Sequence, residues 1–171
     1  ILIASSPFFG GAFLKRRVFL ILLPVFSVFL WAVHDQAFTK QRDENSYYFK
    51  ETDYFTIELK KLKKNGKTLE TVILDNLIHS YVDLDDPLHL QYGYERTYAD
   101  LVAWKAKANP KFRALIIGGG GYTFPRYLEA KYPEAHIDVI EIDPHLTELA
   151  YEYLGLSRKT RILSFNDDAR W

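Results

Sequence analysis

Residues 114–122 read Ala-Leu-Ile-Ile-Gly-Gly-Gly-Gly-Tyr, an apolar strand that runs straight into four glycines. About twenty residues later Val139-Ile140-Glu141-Ile142-Asp143-Pro144 closes a second apolar strand with two acids and a helix-starting proline. This order is the opening of a βαβ unit of the nucleotide-binding kind. It commits this part of the chain to a parallel sheet with a crossover helix. The glycines leave no side chain between the backbone and a ligand. The helix that follows aims its unpaired N–H groups at the same spot. Glu141, at the tip of the second strand, stands where a carboxylate can accept both hydroxyl hydrogens of a ribose.

The remaining elements follow from periodicity and turn chemistry. Residues 54–62 alternate like a half-buried strand. Lys64-Asn65-Gly66-Lys67 is a hairpin turn, because Asn-Gly accepts positive φ. Strands over 69–74 and 77–82 complete a small antiparallel sheet, and 83–87 is a loop. Residues 92–108 have helical spacing, with Tyr94, Tyr98, Leu101 and Val102 on one side, and Asn109-Pro110 ends the helix. Strands over 113–117, 137–142 and 161–165 alternate with helices over 123–132 and 144–154. Pro125 is tolerated in the first turn of the former, and Asp143 caps the latter.

The amino-terminal stretch has a different character. Residues 18–33 carry no charge, and Lys15-Arg16-Arg17 precedes them. The run falls slightly short of the ~20 residues that cross a bilayer, but Trp31 and His34 extend it at an interface. We expect a membrane-spanning helix here; a buried helix and a signal peptide are the competing readings. The expected organisation is a transmembrane segment over 1–34, a linker over 35–46, an antiparallel β-domain over 47–91 and a partial Rossmann-like domain over 92–171. The expected location is the cell membrane, with the globular part on the cytoplasmic side because a nucleoside ligand belongs there. The chain has no methionine and stops after a third parallel strand, which leads us to expect a piece of a longer protein.

Composition narrows the chemistry. Acidic and basic residues balance at 22 each, so bulk charge gives no reason to expect nucleic acid as a partner. The absence of cysteine excludes disulfides and thiolate metal sites, and no metal ligands are assigned. A nicotinamide fingerprint needs G-x-G-x-x-G, and the third glycine would fall on Thr123 or Phe124 in the registers starting at Gly118 and Gly119. The glycines, Glu141 and the carboxylate of Asp168 after the third strand instead suit an adenosyl ligand of the S-adenosylmethionine type. Asp168 would accept from the exocyclic amine of adenine. Each also has a plainer use: Asp168 as a helix cap, Glu141 as a solvated strand end.

Ile116-Ile117-Gly118-Gly119-Gly120, Ile140-Glu141-Ile142-Asp143-Pro144 and Asp168-Ala169-Arg170 together resemble the spermidine synthase (polyamine aminopropyltransferase) family. Leu74-Asp75-Asn76-Leu77-Ile78-His79-Ser80 resembles the family's small β-domain, and Tyr92-Gly93-Tyr94-Glu95-Arg96 the segment entering its α/β domain. The hydrophobic amino terminus is similar to that of membrane-fused members. The resemblance implies transfer of an aminopropyl group from decarboxylated S-adenosylmethionine, a co-substrate, to an amine such as putrescine. It is compatible with a homodimer.

It further implies that Gly118, Gly119, Gly120, Gly121, Glu141, Asp168 and Ala169 contact the adenosyl ligand, and that His79 and Tyr94 face the amine substrate. The family's catalytic aspartate lies about eighteen residues beyond the position of Asp168, so no catalytic residue is assigned here. Three positions depart from the pattern: His79 stands for a glutamine, Tyr94 for a histidine and Gly121 for an aspartate. The last departure removes a charge-assisted contact to the ligand's ammonium, worth about 1.5–3 kcal/mol. Two other functions therefore stay open, an S-adenosylmethionine-dependent methyltransferase and a non-catalytic adenosyl-binding domain of a membrane protein.

Overall fold

A computed structural model describes residues 24–30 and 46–170. The chain divides into two units, Ile1–Arg42 and Asp43–Trp171. In the first, residues 24–30 are helical and exposed. Seven helical residues rise about 10 Å, a third of a hydrocarbon core. No helix among the described residues is long and apolar enough to cross a membrane. This corrects the expected transmembrane helix and, with it, the expected placement in the cell membrane. Most of the sequence on which that expectation rested lies outside the described residues.

The second unit opens with an antiparallel sheet of four strands in sequential order: β1 (Ser46–Glu51), β2 (Thr56–Lys64), β3 (Lys67–Leu74) and β4 (Leu77–Val82). The β2–β3 turn is the expected Asn65-Gly66, with φ of 51° and 79°. The β3–β4 turn uses Asp75 and Asn76, with φ of 52° and 90°. Paired positive φ values give a two-residue turn the twist that flanking strands need. Strand β1 falls where the sequence suggested no element. Its burial alternates strictly, but Ser46-Tyr-Tyr-Phe-Lys-Glu51 carries large residues at every central position, so its hydrophobicity does not alternate.

Strand β4 contains a local irregularity that matters for the site. Val72 pairs with Ser80 while Ile73 pairs with Ile78, which leaves His79 as the extra residue of a β-bulge. A bulge turns side chains away from the regular alternation. Ser80 consequently points inward and is buried, whereas His79 is exposed.

Helix α1 (Gly93–Ala108) leads into the α/β part, where β5 (Arg113–Ile117), β6 (His136–Glu141) and β7 (Leu163–Asn166) form a parallel sheet in that order. Helix α2 (Thr123–Lys131) and helix α3 (Pro144–Glu152) make the crossovers. One sheet face, including Ile137 and Val139, joins Leu128, Leu146, Leu149 and Ala150 in the core. On the other face Leu115 and Ile117 of β5, and Leu163 and Phe165 of β7, are exposed. Parallel sheets are ordinarily covered on both faces, so among the described residues this sheet is covered on one.

Of the residues grouped on one side of helix α1, Val102 packs against the core. Tyr94, Tyr98 and Leu101 are exposed, and the side that packs carries Glu95 and Ala99. The reason is local: the Glu95 carboxylate accepts the Tyr92 N–H at 3.0 Å, closing the first turn of the helix.

Candidate functional site

The glycine loop and the tip of β6 are joined by hydrogen bonds. Glu141 Oε2 accepts the N–H of Gly119 at 2.7 Å and of Gly120 at 3.1 Å. Its Oε1 accepts the Asp143 N–H at 3.0 Å. The carboxylate is almost fully buried, so these donors replace the water it gives up. An ionised carboxylate offers about four acceptor positions. Three are filled, leaving capacity for one further hydrogen. Any group that offers two hydrogens to Glu141 would compete with these backbone donors, of which Gly120 makes the longer contact to Oε2.

The loop conformation explains its glycines. Gly118 has φ of 87° and Gly120 of 50°, both in the region that favours glycine. Gly119 is fixed by packing: a Cβ there would lie 2.5 Å from Cε2 of Tyr122. Tyr122 is fully buried, and its hydroxyl lies 3.1 Å from both Thr147 Oγ1 and Ser164 Oγ. The tyrosine thus forms the floor on which the loop rests.

Gly121 serves a different end. Its N–H donates to Ser80 Oγ at 2.9 Å, and a Cβ at this position would lie 2.6 Å from Ser80 Cβ and 2.9 Å from Val82 Cγ2. Strand β4 has taken the room a side chain would need. The bulge at His79 is what turns Ser80 toward the loop. Ser80 belongs to a segment that carries the family resemblance but was assigned no role of its own, because a serine within a strand is unremarkable until the register places it.

His79, Tyr94, Gly118, Gly119, Gly120, Glu141, Asp168 and Ala169 all line one open cleft of about 740 Å³, which also runs across part of the bare sheet face. Gly121 is absent from that lining and lies beneath it against β4. At the rim, Arg170 forms a two-pronged ion pair with Asp168, and its N–H caps the same carboxylate at 3.0 Å. These bonds hold the Asp168 carboxyl down at about 2, so it is ionised at neutral pH. Elsewhere in the lining, Tyr94 packs against Tyr92 and Tyr98, with ring centroids 5.3 and 5.7 Å away. Tyr98 continues to Phe124 at 5.9 Å, which makes an aromatic shelf.

Glu95 also borders the cleft, although the sequence suggested no such role. Burial pushes its carboxyl above the usual value of 4.5, outweighing the Tyr92 N–H and the nearby charges of Arg96 and His89. The sign of the consequence is fixed. The folded state binds this proton more tightly than the unfolded chain, so Glu95 costs stability as pH rises from 4.5 through its raised folded value. Glu95→Gln keeps an acceptor for Tyr92 and removes the titration. Urea unfolding at pH 4.5 and pH 7 should show the variant losing less stability across this interval than the parent. Equal losses would contradict the account.

Asp83, Asp86 and His89 bring ligand atoms together elsewhere in the unit. The Lys67 ammonium already bridges Asp83 at 2.7 Å and Asp86 at 3.3 Å. This cluster reads as an ion-pair clamp on the loop after β4.

A curated polyamine aminopropyltransferase from Vibrio vulnificus (strain CMCP6) is 47% identical over 57 residues, which take in 32% of this chain and 19% of that protein. The crystal structure of a probable spermidine synthase from Corynebacterium glutamicum ATCC 13032 superposes with a TM-score of 0.65 at 28% identity, over 72% of this chain and 45% of that one. The chain is thus similar, in sequence and in fold, to polyamine aminopropyltransferases and spermidine synthases. No family model matches it. An eEF1A lysine and N-terminal methyltransferase from Mus musculus is 35% identical over 48 residues, 28% of this chain and 7% of its own length. The chain therefore spans less than half the length of each of these relatives.

Proposed function

We propose that the cleft binds an adenosyl sulfonium ligand and that the protein of which this chain forms at least part transfers an aminopropyl group from decarboxylated S-adenosylmethionine to a small amine. The observation that carries this reading is the bond between Glu141 and the N–H groups of Gly119 and Gly120, which fixes a carboxylate at the mouth of a glycine loop. Asp168 and Ala169 stand across the same cleft, where an adenine would lie, and ionised Asp168 can accept from its amine.

The reaction asks little covalent work of the protein. The amine nitrogen attacks the aminopropyl carbon next to sulfur, and the carbon–sulfur bond breaks. Its electron pair neutralises the sulfonium to a thioether, and the amine gives up a proton. The sulfonium is already a good leaving group, so catalysis consists mainly of alignment and proton removal. In this reading His79 and Tyr94 border the amine, each with a group able to hydrogen-bond it.

Gly121 favours a second reading. The space beside it is filled by Ser80 and Val82, so no carboxylate can pair there with an aminopropyl ammonium. A methyl donor, S-adenosylmethionine itself, has an amino-acid tail and a different requirement at that end. Calorimetry separates the two. Tighter binding of decarboxylated S-adenosylmethionine than of S-adenosylmethionine is the expected outcome. The reverse order would favour methyl transfer, and binding of neither would contradict both.

A further inference from the structure

The glycine loop is tied to a residue that is remote in sequence and lies in the β-domain. The Thr52 hydroxyl, in the turn between β1 and β2, donates to Asp143 Oδ2 at 2.6 Å. The same oxygen accepts the N–H groups of Tyr54 at 3.2 Å and Phe55 at 3.0 Å. The Phe55 carbonyl also lies within reach of the Thr52 hydroxyl, at 3.0 Å, and the shorter contact to the Asp143 carboxylate is the stronger claim on its single hydrogen. Asp143 is fully buried, and its other oxygen caps α3 through the His145 N–H at 2.9 Å. The Asp143 N–H in turn donates to Glu141, whose second oxygen holds Gly119 and Gly120.

We infer that Thr52 is a positioning residue for the nucleoside site, acting through Asp143 on Glu141 and so on the glycine loop. The chemistry favours such a relay. Each link is a hydrogen bond to a carboxylate oxygen, between 2.6 and 3.1 Å long. A buried carboxylate with one bond removed is driven to turn toward another donor. If the Asp143 carboxylate turns, its cap on the His145 N–H loosens, the backbone at the start of α3 shifts, and the Asp143 N–H that helps aim Glu141 moves with it. The β-domain thus does more than border the cleft: its first turn sets the angle at which the carboxylate faces a ligand. That functional consequence rests on the nucleoside-binding reading above, whereas the mechanical relay does not.

The test uses Thr52→Val, which keeps the shape and removes the hydroxyl, and Thr52→Ser, which restores it. Two quantities are read on the full chain. The first is amide hydrogen exchange at Gly119 and Gly120, compared with that at Val72 in the middle of the antiparallel sheet. The second is the affinity for 5′-methylthioadenosine, the thioether left after aminopropyl transfer. Thr52→Val should speed exchange at both glycines about tenfold and weaken binding by a similar factor, the worth of one charge-assisted hydrogen bond. Val72 should be unaffected, and Thr52→Ser should recover both quantities. Unchanged glycine exchange in Thr52→Val, equal acceleration at Val72, or no recovery in Thr52→Ser would each overturn the relay. If the parent binds no nucleoside while the exchange pattern holds, the functional reading fails and the relay stands.

Discussion

Replacing Glu141 by alanine should weaken binding of an adenosyl ligand at least about a hundredfold and lower unfolding stability by about 2–4 kcal/mol. Two roles are lost together. The carboxylate is the proposed ribose acceptor, and a hydrogen bond to a charged group is worth about 1.5–3 kcal/mol. It also satisfies the N–H groups of Gly119, Gly120 and Asp143. Removing it strands three donors at once, only partly relieved by water entering from the cleft. Calorimetry and urea unfolding measure the two effects separately. Glu141→Gln distinguishes them further. The amide retains one acceptor oxygen but presents an NH₂ to a donor, so stability should fall less than in the alanine variant while affinity falls comparably. Full affinity in either variant would count against a ribose contact, whatever happens to stability.

Restoring an aspartate at position 121 should harm the protein rather than repair it. Gly121→Asp is expected to cost about 3 kcal/mol or more, because the new Cβ meets Ser80 Cβ at 2.6 Å and Val82 Cγ2 at 2.9 Å. Both neighbours are buried, and the added charge would be placed against them. The double variant Ser80→Gly with Gly121→Asp should recover part of the loss, since Val82 still intrudes. This pattern would show that the glycine and the serine form one packed unit. A single Gly121→Asp variant with parental stability in thermal unfolding would contradict the packing described.

Much of this architecture could be read from the sequence, for identifiable reasons. The βαβ unit was legible because strand, glycines, helix and acidic strand tip follow one another within thirty residues, so local signals suffice. The Asn65-Gly66 turn was legible because its residue types meet a backbone requirement. Strand β1 was missed because Tyr47, Tyr48 and Phe49 hide the alternation behind uniformly large side chains. The burial of Glu95 on α1 was not legible because it follows from a capping role, while Tyr94 and Tyr98 remain exposed. The transmembrane expectation came from an uncharged run with a basic cluster before it and from the resemblance to membrane-fused members, and among the described residues no helix is long and apolar enough to cross a membrane.

The candidate site divides along the same line. Gly118, Glu141 and Asp168 stand on adjoining strand ends, where sequence order implies proximity in space. Ser80 and Thr52 were assigned no role because their importance depends on register and on contacts across more than forty residues. Gly121 was recognisable as a departure from a pattern, but only the geometry shows that β4 fills the place of the missing side chain.

The most direct measurement is the structure of the protein bound to 5′-methylthioadenosine. Glu141 should hold a ribose hydroxyl within about 3.2 Å, with the Gly120 N–H released wherever both hydroxyls are engaged. A nucleoside seated away from Gly118–Gly120, or a ribose that leaves the Glu141 bonds to Gly119, Gly120 and Asp143 untouched and accepts nothing from it, would contradict the account.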